Sequence, residues 1–315
     1  MTLPTITVVG AGQVGATTAH LLLLKQLAHV VLIDVVDGLA AGKALDLLQA
    51  AATDGLEVRA TGTTDFSAMA GSRIVIVTAG LARKPGMSRD DLLAANANIV
   101  GPIADRIAQH APEAIVIVVT NPLDVMAYLA FKRTGFPRRR VMGMAGVLDS
   151  SRLRAFIAQK LQVSPERVQA TVLGSHGDLM VPVAAWITVD GKPIASRLPA
   201  GEVEQLLART RDGGAEIVAL LKTSSAYYAP AAGVAQMAQA ILTDEHRVLP
   251  VAAMLDGEYG LREVCIGVPA ELARAGVVRI VEHPLADADR RALHAAAEQV
   301  RGMIAAAVPP QPHHA

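Results

Sequence analysis

The feature that most constrains the fold is a regular alternation of two patterns through the first half of the chain. Short β-branched runs at residues 6–9, 30–33, 74–77 and 115–119 are apolar at nearly every position. Such runs are typical of strands covered on both faces of a parallel sheet. Between them lie Ala- and Leu-rich segments with helical spacing, at residues 12–27, 39–51, 91–110 and 123–132. The alternation predicts a doubly wound parallel α/β sheet.

The second half of the chain follows a different pattern and predicts a separate α+β domain. A helix starts near Asp149, a strand follows at 169–173, and residues 190–193 form the turn of a hairpin between 183–189 and Ile194. Further helices are predicted at 201–222, 229–242 and 287–307, and further strands at 248–254, 264–268 and 277–281. We therefore predict one domain over residues 1–147, a second over 148–308, and a disordered tail over 309–315.

Composition bears on assembly and partners. Of the 315 residues, 52% are apolar and 18% charged, an apolar excess that favours surface buried between subunits of a homo-oligomer. Basic and acidic residues are equal at 29 each, so no charge excess indicates a nucleic acid or an anionic membrane as partner. The two histidines near the end of the tail make at best a weak metal site, and we expect no metal.

The sequence also favours a cytoplasmic location. The single cysteine, Cys265, cannot form an internal disulfide, which fits a reducing compartment. Residues 1–9 carry no basic side chain, so no export signal is expected there. No apolar stretch reaches the unbroken length of about 18 to 20 residues that a membrane span needs.

The first motif with chemical meaning follows the first strand and opens the first helix. It matches the pattern G-x-G-x-x-G with Gly10, Ala11, Gly12, Gln13, Val14 and Gly15. In that context the glycines permit a tight turn, a close approach to a pyrophosphate and close packing of helix on strand. Asp34 ends the second strand 19 residues after Gly15, where a carboxylate can accept both ribose hydroxyls and repel a 2′-phosphate. The pattern predicts a Rossmann domain that binds NAD rather than NADP.

The candidate catalytic residues lie outside this motif. His176 stands between Gly174-Ser175 and Gly177-Asp178, just after an apolar strand, where the imidazole is sterically open. It fits a group that exchanges a proton near neutral pH, although a structural loop is the alternative.

Two basic segments are candidates for contacts with an anionic substrate. Asp149 and Arg152 lie three residues apart on one face of a predicted helix; the alternative is an N-cap Asp with a surface ion pair. The segment 83–89 contains Arg83, Lys84 and Arg89 around Pro85-Gly86, and follows a strand. It is either a solvated charge run or a loop over the carboxyl edge of the sheet, where ligands of doubly wound folds bind.

Together these motifs resemble the lactate/malate dehydrogenase superfamily. The resemblance runs in order from about residue 4 to 308 and includes Val119-Thr120-Asn121-Pro122 and Leu148-Asp149-Ser150-Ser151-Arg152. It implies that His176 is the proton donor and acceptor, that Asp149 pairs with it, and that Arg152 grips the substrate carboxylate as a bidentate fork. It further implies that Arg89, on a mobile loop, polarises the reacting carbonyl.

The resemblance also implies the remaining contacts with substrate and cofactor. Asn121 would contact both, and its bond to Pro122 is a candidate cis peptide. Asn96, Val119 and Thr120 would lie along the cofactor.

The resemblance is nearest to the malate enzymes that are built like lactate dehydrogenases and assemble as tetramers or dimers. Arg83, six residues before Arg89, stands where the lactate enzymes have Gln. A cation there suits the second carboxylate of oxaloacetate, whereas pyruvate would leave it buried and unpaired at a cost of about 3 to 5 kcal/mol. Ala226, beside Ser224 and Ser225, falls where the lactate enzymes have a pocket threonine. The implied activity is NAD-dependent, reversible oxidation of (S)-malate, a reaction of the tricarboxylic acid cycle.

Three alternatives stay open. In the first, Arg83 points to solvent and another residue such as Lys84 sets specificity. In the second, the protein is a lactate or broad-specificity 2-hydroxy-acid dehydrogenase. In the third, it is a non-catalytic dinucleotide-binding module in which His176 is only structural.

Overall fold

The computed structural model describes residues 3–82 and 88–307 and has a parallel sheet in its first half. Six strands form in the order β3-β2-β1-β4-β5-β6, all parallel. The strands are β1 (Thr5–Val9), β2 (His29–Ile33), β3 (Ala60–Thr63), β4 (Ile74–Val77), β5 (Ile115–Val118) and β6 (Val141–Gly143). The helices are α1 (Gln13–Leu24), α2 (Leu39–Thr53), α3 (Arg89–His110) and α4 (Leu123–Thr134). This strand order is that of a Rossmann domain.

The second half adds strands to the same sheet. β12 pairs antiparallel with β6, and the order continues through β13, β8 and β9, with β14 on β13. The strands are β7 (Val168–Gln169), β8 (Val172–Gly174), β9 (Met180–Pro182), β10 (Thr188–Val189), β11 (Lys192–Pro193), β12 (Arg247–Asp256), β13 (Arg262–Ala273) and β14 (Gly276–Ile280). The helices are α5 (Gly146–Leu161), α6 (Ala200–Leu221), α7 (Tyr228–Leu242) and α8 (Asp287–Ala307). The predicted fold class, a Rossmann sheet followed by an α+β domain, is confirmed.

Burial explains why the runs in the first half form strands. Every residue of β4 and β5, both with the sequence Ile-Val-Ile-Val, is buried, as expected of central strands covered by helices on both faces. A second, smaller hydrophobic core lies under α5 and α6 around Leu153, Ile157 and Leu207. No helix within residues 3–82 and 88–307 has the length and apolar character that crossing a membrane requires.

Several predicted elements differ in detail. The strand predicted at 169–173 is two short strands, β7 and β8, and the hairpin is limited to β10 and β11 around Asp190 and Gly191. Both turn residues have positive φ, as a two-residue type I′ turn requires. The sequence pattern does not predict strands β3, β6 and β9. The predicted boundary at 147/148 falls inside α5, and the tail 309–315 lies outside the described residues.

Candidate active site

The glycine-rich loop after β1 is shaped to receive a phosphate group. Gly10 has φ +103°, and a Cβ there would lie 2.5 Å from the Ala79 nitrogen. A Cβ on Gly15 would lie 1.9 Å from the Gly10 carbonyl oxygen, so α1 packs directly on the loop. The space beside Gly12, the N-cap of α1, holds no other atom within 4 Å, and no side chain caps the helix. An open helix N-terminus at the carboxyl edge of a parallel sheet fits a dinucleotide pyrophosphate.

Asp34 lies at the same edge and is tied to the loop. Its Oδ2 accepts a hydrogen bond from the Ala11 nitrogen at 2.7 Å, and its Oδ1 accepts one from the Val36 nitrogen at 3.0 Å. The carboxylate of Asp34 is therefore fixed beside the end of β2 and the glycine-rich loop, as the motif predicts. Gln13 and Val14 begin α1, and Ala11 is fully buried.

The side chains of Asn96 and Thr120 support neighbouring loops. Asn96, fully buried on α3, accepts a hydrogen bond from the Leu81 nitrogen at 2.7 Å and donates to the Asn121 carbonyl at 2.6 Å. Thr120 Oγ1 donates to the Ala79 carbonyl at 2.7 Å, and the Val119 nitrogen donates to the Val77 carbonyl at 2.8 Å. These bonds hold the loops after β4 and β5 against each other at the carboxyl edge.

His176 and Asp149 form a buried pair. Gly174 ends β8 with φ +83°, and the turn that follows directs His176 towards α5. His176 Nδ1 lies 2.9 Å from Asp149 Oδ2, and the Asp149 side chain is only 2% exposed. Asp149 is the fourth residue of α5, whose N-cap is Ala145, so the alternative that Asp149 caps this helix is wrong.

Arg152 completes this cluster. Its Nη1 lies 3.3 Å from Asp149 Oδ1, and its side chain is 10% exposed. Gly213 of α6 packs against it, because a Cβ on that glycine would lie 2.3 Å from Arg152 Cδ and 2.8 Å from Nε. Asp149 thus contacts both an imidazole and a guanidinium inside a largely buried site, and Gly213 leaves the space that the arginine occupies.

Sequence reasoning missed Asp124, the second residue of α4. It is 2% exposed, and its Oδ2 accepts hydrogen bonds from Ser175 Oγ at 2.6 Å and from the His176 nitrogen at 3.1 Å. Within the part of the chain that the structure describes, its Oδ1 is buried and has no hydrogen-bond partner. An Asp directly after Asn-Pro-Leu inside an apolar helix was the only signal in the sequence. Asp124 holds the turn that carries His176.

The two carboxylates act on His176 electrostatically. Burial alone would lower the pKa of His176, but attraction to Asp149, their hydrogen bond and the charge of Asp124 together raise it above 6.5. Burial raises the pKa of Asp124 to about 6, against the opposing effects of its bonds to Ser175 and His176. The raised pKa of His176 increases the share of its imidazolium form, the form that a proton donor requires.

The structure leaves part of the predicted site undescribed. Arg83 and Lys84 lie outside the described residues, and so does the side chain of Arg89, the first residue of α3. Asn121 is exposed at the carboxyl edge, and its peptide bond to Pro122 is cis. Ala226 lies in the segment between α6 and α7.

Family models match nearly the whole chain. The model described as the NAD binding domain of lactate/malate dehydrogenase covers residues 5–143. The model described as the alpha/beta C-terminal domain of the same family covers residues 146–309. The chain belongs to the lactate/malate dehydrogenase family. It is an NAD-dependent oxidoreductase, and the fit of the glycine-rich loop and Asp34 to a dinucleotide agrees with that.

Individual members of the family are similar along their whole length. A malate dehydrogenase of Synechocystis is 53% identical over 296 residues, covering 94% of this dehydrogenase and 91% of the relative. The apo malate dehydrogenase of Picrophilus torridus has a TM-score of 0.94 at 42% identity, covering 96% and 97% of the two chains. The lactate dehydrogenase of Cryptosporidium parvum, complexed with lactic acid and NAD, has a TM-score of 0.94 at 36% identity, covering 99% and 100%. Both substrate classes therefore share this fold.

Proposed function

We propose that this protein is a malate dehydrogenase that interconverts (S)-malate and oxaloacetate. The observation that carries the proposal is the buried cluster of His176, Asp149 and Arg152, which joins a proton-exchanging group to a cation for a carboxylate. The identity of 53% to a relative named malate dehydrogenase supports the choice of substrate.

His176 supplies the reacting proton. Its Nδ1 is engaged by Asp149, so Nε2 is the nitrogen left for the substrate oxygen. In reduction, Nε2–H protonates the oxygen that was the carbonyl of oxaloacetate; in oxidation, neutral Nε2 removes the hydroxyl proton of malate. Asp149 stabilises the imidazolium, and Asp124 keeps the turn in place through the His176 nitrogen and Ser175.

Arg152, Arg89 at the start of α3 and Asn121 bind the substrate. Arg152 forms a bidentate pair with the C1 carboxylate, which a guanidinium fork matches and an ammonium does not. Arg89 polarises the reacting carbonyl, and Asn121 contacts both substrate and cofactor.

The dinucleotide site follows from the residues around the first helix. Gly10, Ala11, Gly12, Gln13, Val14 and Gly15 would hold the pyrophosphate, Asp34 would hold the ribose hydroxyls, and Asn96, Val119 and Thr120 would lie along the cofactor. NAD supplies the hydride acceptor when bound, and NADH the donor.

Arg83 sets the choice of malate over lactate. We propose that it pairs with the second carboxylate of the four-carbon diacid, and that pyruvate, which has a methyl group there, leaves it uncompensated. The alternative is a lactate or broad-specificity enzyme, which the structural similarity to a lactate dehydrogenase keeps in view.

Steady-state oxidation of NADH with oxaloacetate and with pyruvate, side by side, tests the proposal. We expect kcat/KM to favour oxaloacetate by at least about 10², because an unpaired buried charge costs several kcal/mol. Arg83→Gln should lower oxaloacetate use and raise relative pyruvate use, while Arg138→Gln, a partly exposed arginine paired with Glu258, is the matched control. Equal use of the two keto acids by the natural protein would favour the alternative, and an unchanged ratio in Arg83→Gln would refute the role of Arg83.

We also propose a homo-oligomer, as a tetramer or a dimer. Large apolar side chains are exposed before and on α2 and near the end of α6, with Val35 81% and Leu220 75% accessible. A second copy of the chain is the occupant proposed for these surfaces, and light scattering after size exclusion distinguishes the tetramer, the dimer and the monomer that would contradict it.

For location and metabolic role, we propose a cytoplasmic enzyme of the tricarboxylic acid cycle. The single cysteine, which has no partner for an internal disulfide, supports the first part. Fractionation of cells with an antibody to the protein tests the location.

A further inference from the structure

A cavity lined by arginines lies at the edge of the parallel sheet opposite the dinucleotide loop. Arg73 directly precedes β4, and Arg139 and Arg140 directly precede β6. Arg274, in the turn between β13 and β14, closes the cavity from the other side. We call this cavity of about 230 Å³ the arginine pocket. Because these strands run parallel, it faces away from the carboxyl edge where the active-site residues lie.

The charges of the arginine pocket are poorly balanced. Among the residues that line it, Glu113 is the one acid, and its side chain is 92% exposed and 3.5 Å from Arg140 Nη1. Asp244 reaches Arg274 only at 3.8 Å from its Nε. Four guanidinium groups therefore share two carboxylates, at 3.5 and 3.8 Å from the nearest guanidinium nitrogens, which leaves a net positive charge in a concave space.

Neutral main-chain groups hold two of these arginines in place. The guanidinium of Arg73 donates to the carbonyl of Arg274, and Arg140 Nη1 donates to the carbonyl of Pro112 at 2.7 Å. The backbone of Arg139 packs against the β13–β14 turn, since a Cβ on Gly276 would lie 2.1 Å from the Arg139 carbonyl oxygen. Arg73 and Arg140 are thus positioned by neutral carbonyl groups that leave their positive charges in place, as in a site prepared for an anion.

The size and chemistry of the pocket narrow the class of ligand. Planar guanidinium forks match phosphate oxygens in pairs, and four of them suit more than one phosphate group. The cavity is smaller than the roughly 300 to 1,000 Å³ of pockets that hold larger organic ligands. We propose that the arginine pocket binds a compact anion with two linked phosphate groups, separately from substrate and cofactor.

Calorimetric titration of inorganic pyrophosphate into the enzyme saturated with NADH tests the proposal. NADH fills the dinucleotide loop, which would otherwise bind pyrophosphate itself, and KCl keeps the ionic strength constant. We expect one pyrophosphate bound per chain. Arg139→Gln combined with Arg274→Gln should weaken binding at least tenfold, and both side chains are exposed enough to be replaced without disturbing the core.

The matched control is Arg290→Gln combined with Arg291→Gln, which removes the same charge from exposed positions on α8. Its affinity for pyrophosphate should stay within twofold of the natural protein. Displacement of bound pyrophosphate by a nucleoside diphosphate would assign the ligand to the nucleotides, whereas its retention would assign it to smaller diphosphates. Failure of pyrophosphate to bind the NADH-saturated enzyme, or equal affinity in the two double variants, would overturn the proposal.

Discussion

Replacing Gly213 with alanine should weaken substrate binding. Gly213 lies on α6, a helix that contributes no charged group to the cluster of His176, Asp149 and Arg152. A Cβ at this position would lie 2.3 Å from Arg152 Cδ, whereas carbon atoms in contact prefer about 3.5 to 4.0 Å. Relieving the overlap requires the Arg152 side chain or α6 to move by about 1 Å or more. Because Arg152 is 10% exposed and already bonded to Asp149, it has little free space in which to move.

The magnitude follows from the sensitivity of catalysis to geometry. A displacement of about 1 Å in a positioning group can cost about 10² in rate. We therefore expect Gly213→Ala to lower kcat/KM for oxaloacetate by roughly 10- to 100-fold, mainly through KM. Affinity for NADH should not change, since the glycine-rich loop lies on other elements.

Gly214→Ala is the control. This next residue of α6 has no atom within 4 Å of its Cβ position, so alanine adds only helix propensity and should stabilise the protein by about 0.5 to 1 kcal/mol. Steady-state kinetics with oxaloacetate, fluorescence titration with NADH and chemical unfolding separate the effects. The conclusion that Gly213 positions Arg152 would be refuted if Gly213→Ala had the same kcat/KM as the natural protein, or if both variants lost the same fraction of kcat/KM.

Two further predictions concern buried titratable groups. Compared with the natural protein, Asp124→Asn should have its most favourable free energy of unfolding at higher pH. With the pKa of Asp124 raised from 3.8 to about 6, the folded state binds more protons than the unfolded state in this range, so stability falls as pH rises from about 4 to about 6. Over the whole range the change is as much as about 3 kcal/mol, of which about 1.4 kcal/mol falls between pH 5 and pH 8. Urea unfolding at those two pH values measures this part, and a difference independent of pH would contradict the burial argument. The thiol of Cys265 is buried, and burial raises its pKa, so a thiol reagent should label the denatured chain once and the native protein not at all; rapid labelling of the folded protein would contradict this.

Elements with a strong local pattern could be predicted from the sequence. The final helix has the predicted bounds, residues 287–307, and β4 has the predicted bounds 74–77 because its four residues are all apolar. β3 has the sequence Ala-Thr-Gly-Thr, which carries no hydrophobic pattern. It forms because β2 offers a parallel edge and because a glycine at position 62 allows α2 to approach, since a Cβ there would lie 2.0 Å from the Ala40 carbonyl oxygen. Contacts of this kind depend on the tertiary structure and cannot be recognised in a short stretch of sequence.

The same distinction holds for the site. The local context of His176 indicated chemistry, whereas the roles of Asp149 and Arg152 followed from the resemblance. The structure brings Asp149 within hydrogen-bonding range of both His176 and Arg152. Asp124 and Gly213 come from α4 and α6, far from them in sequence. Their importance follows from contacts between elements, a buried carboxylate under the His176 turn and a missing side chain beside Arg152. The sequence marks Asp124 only as an acid inside an apolar helix, and it carries no sign of the contact that Gly213 makes.

The central claim, that His176 carries the reacting proton, is tested most directly by the pH dependence of kcat/KM in both directions. With the pKa of His176 raised above 6.5, oxaloacetate reduction should be high below that pKa and fall as the imidazolium loses its proton, while malate oxidation rises over the same range. His176→Asn should bind NADH normally, lose at least about 10² in turnover and show neither transition. The same pH transitions in His176→Asn, at undiminished turnover, would contradict the account.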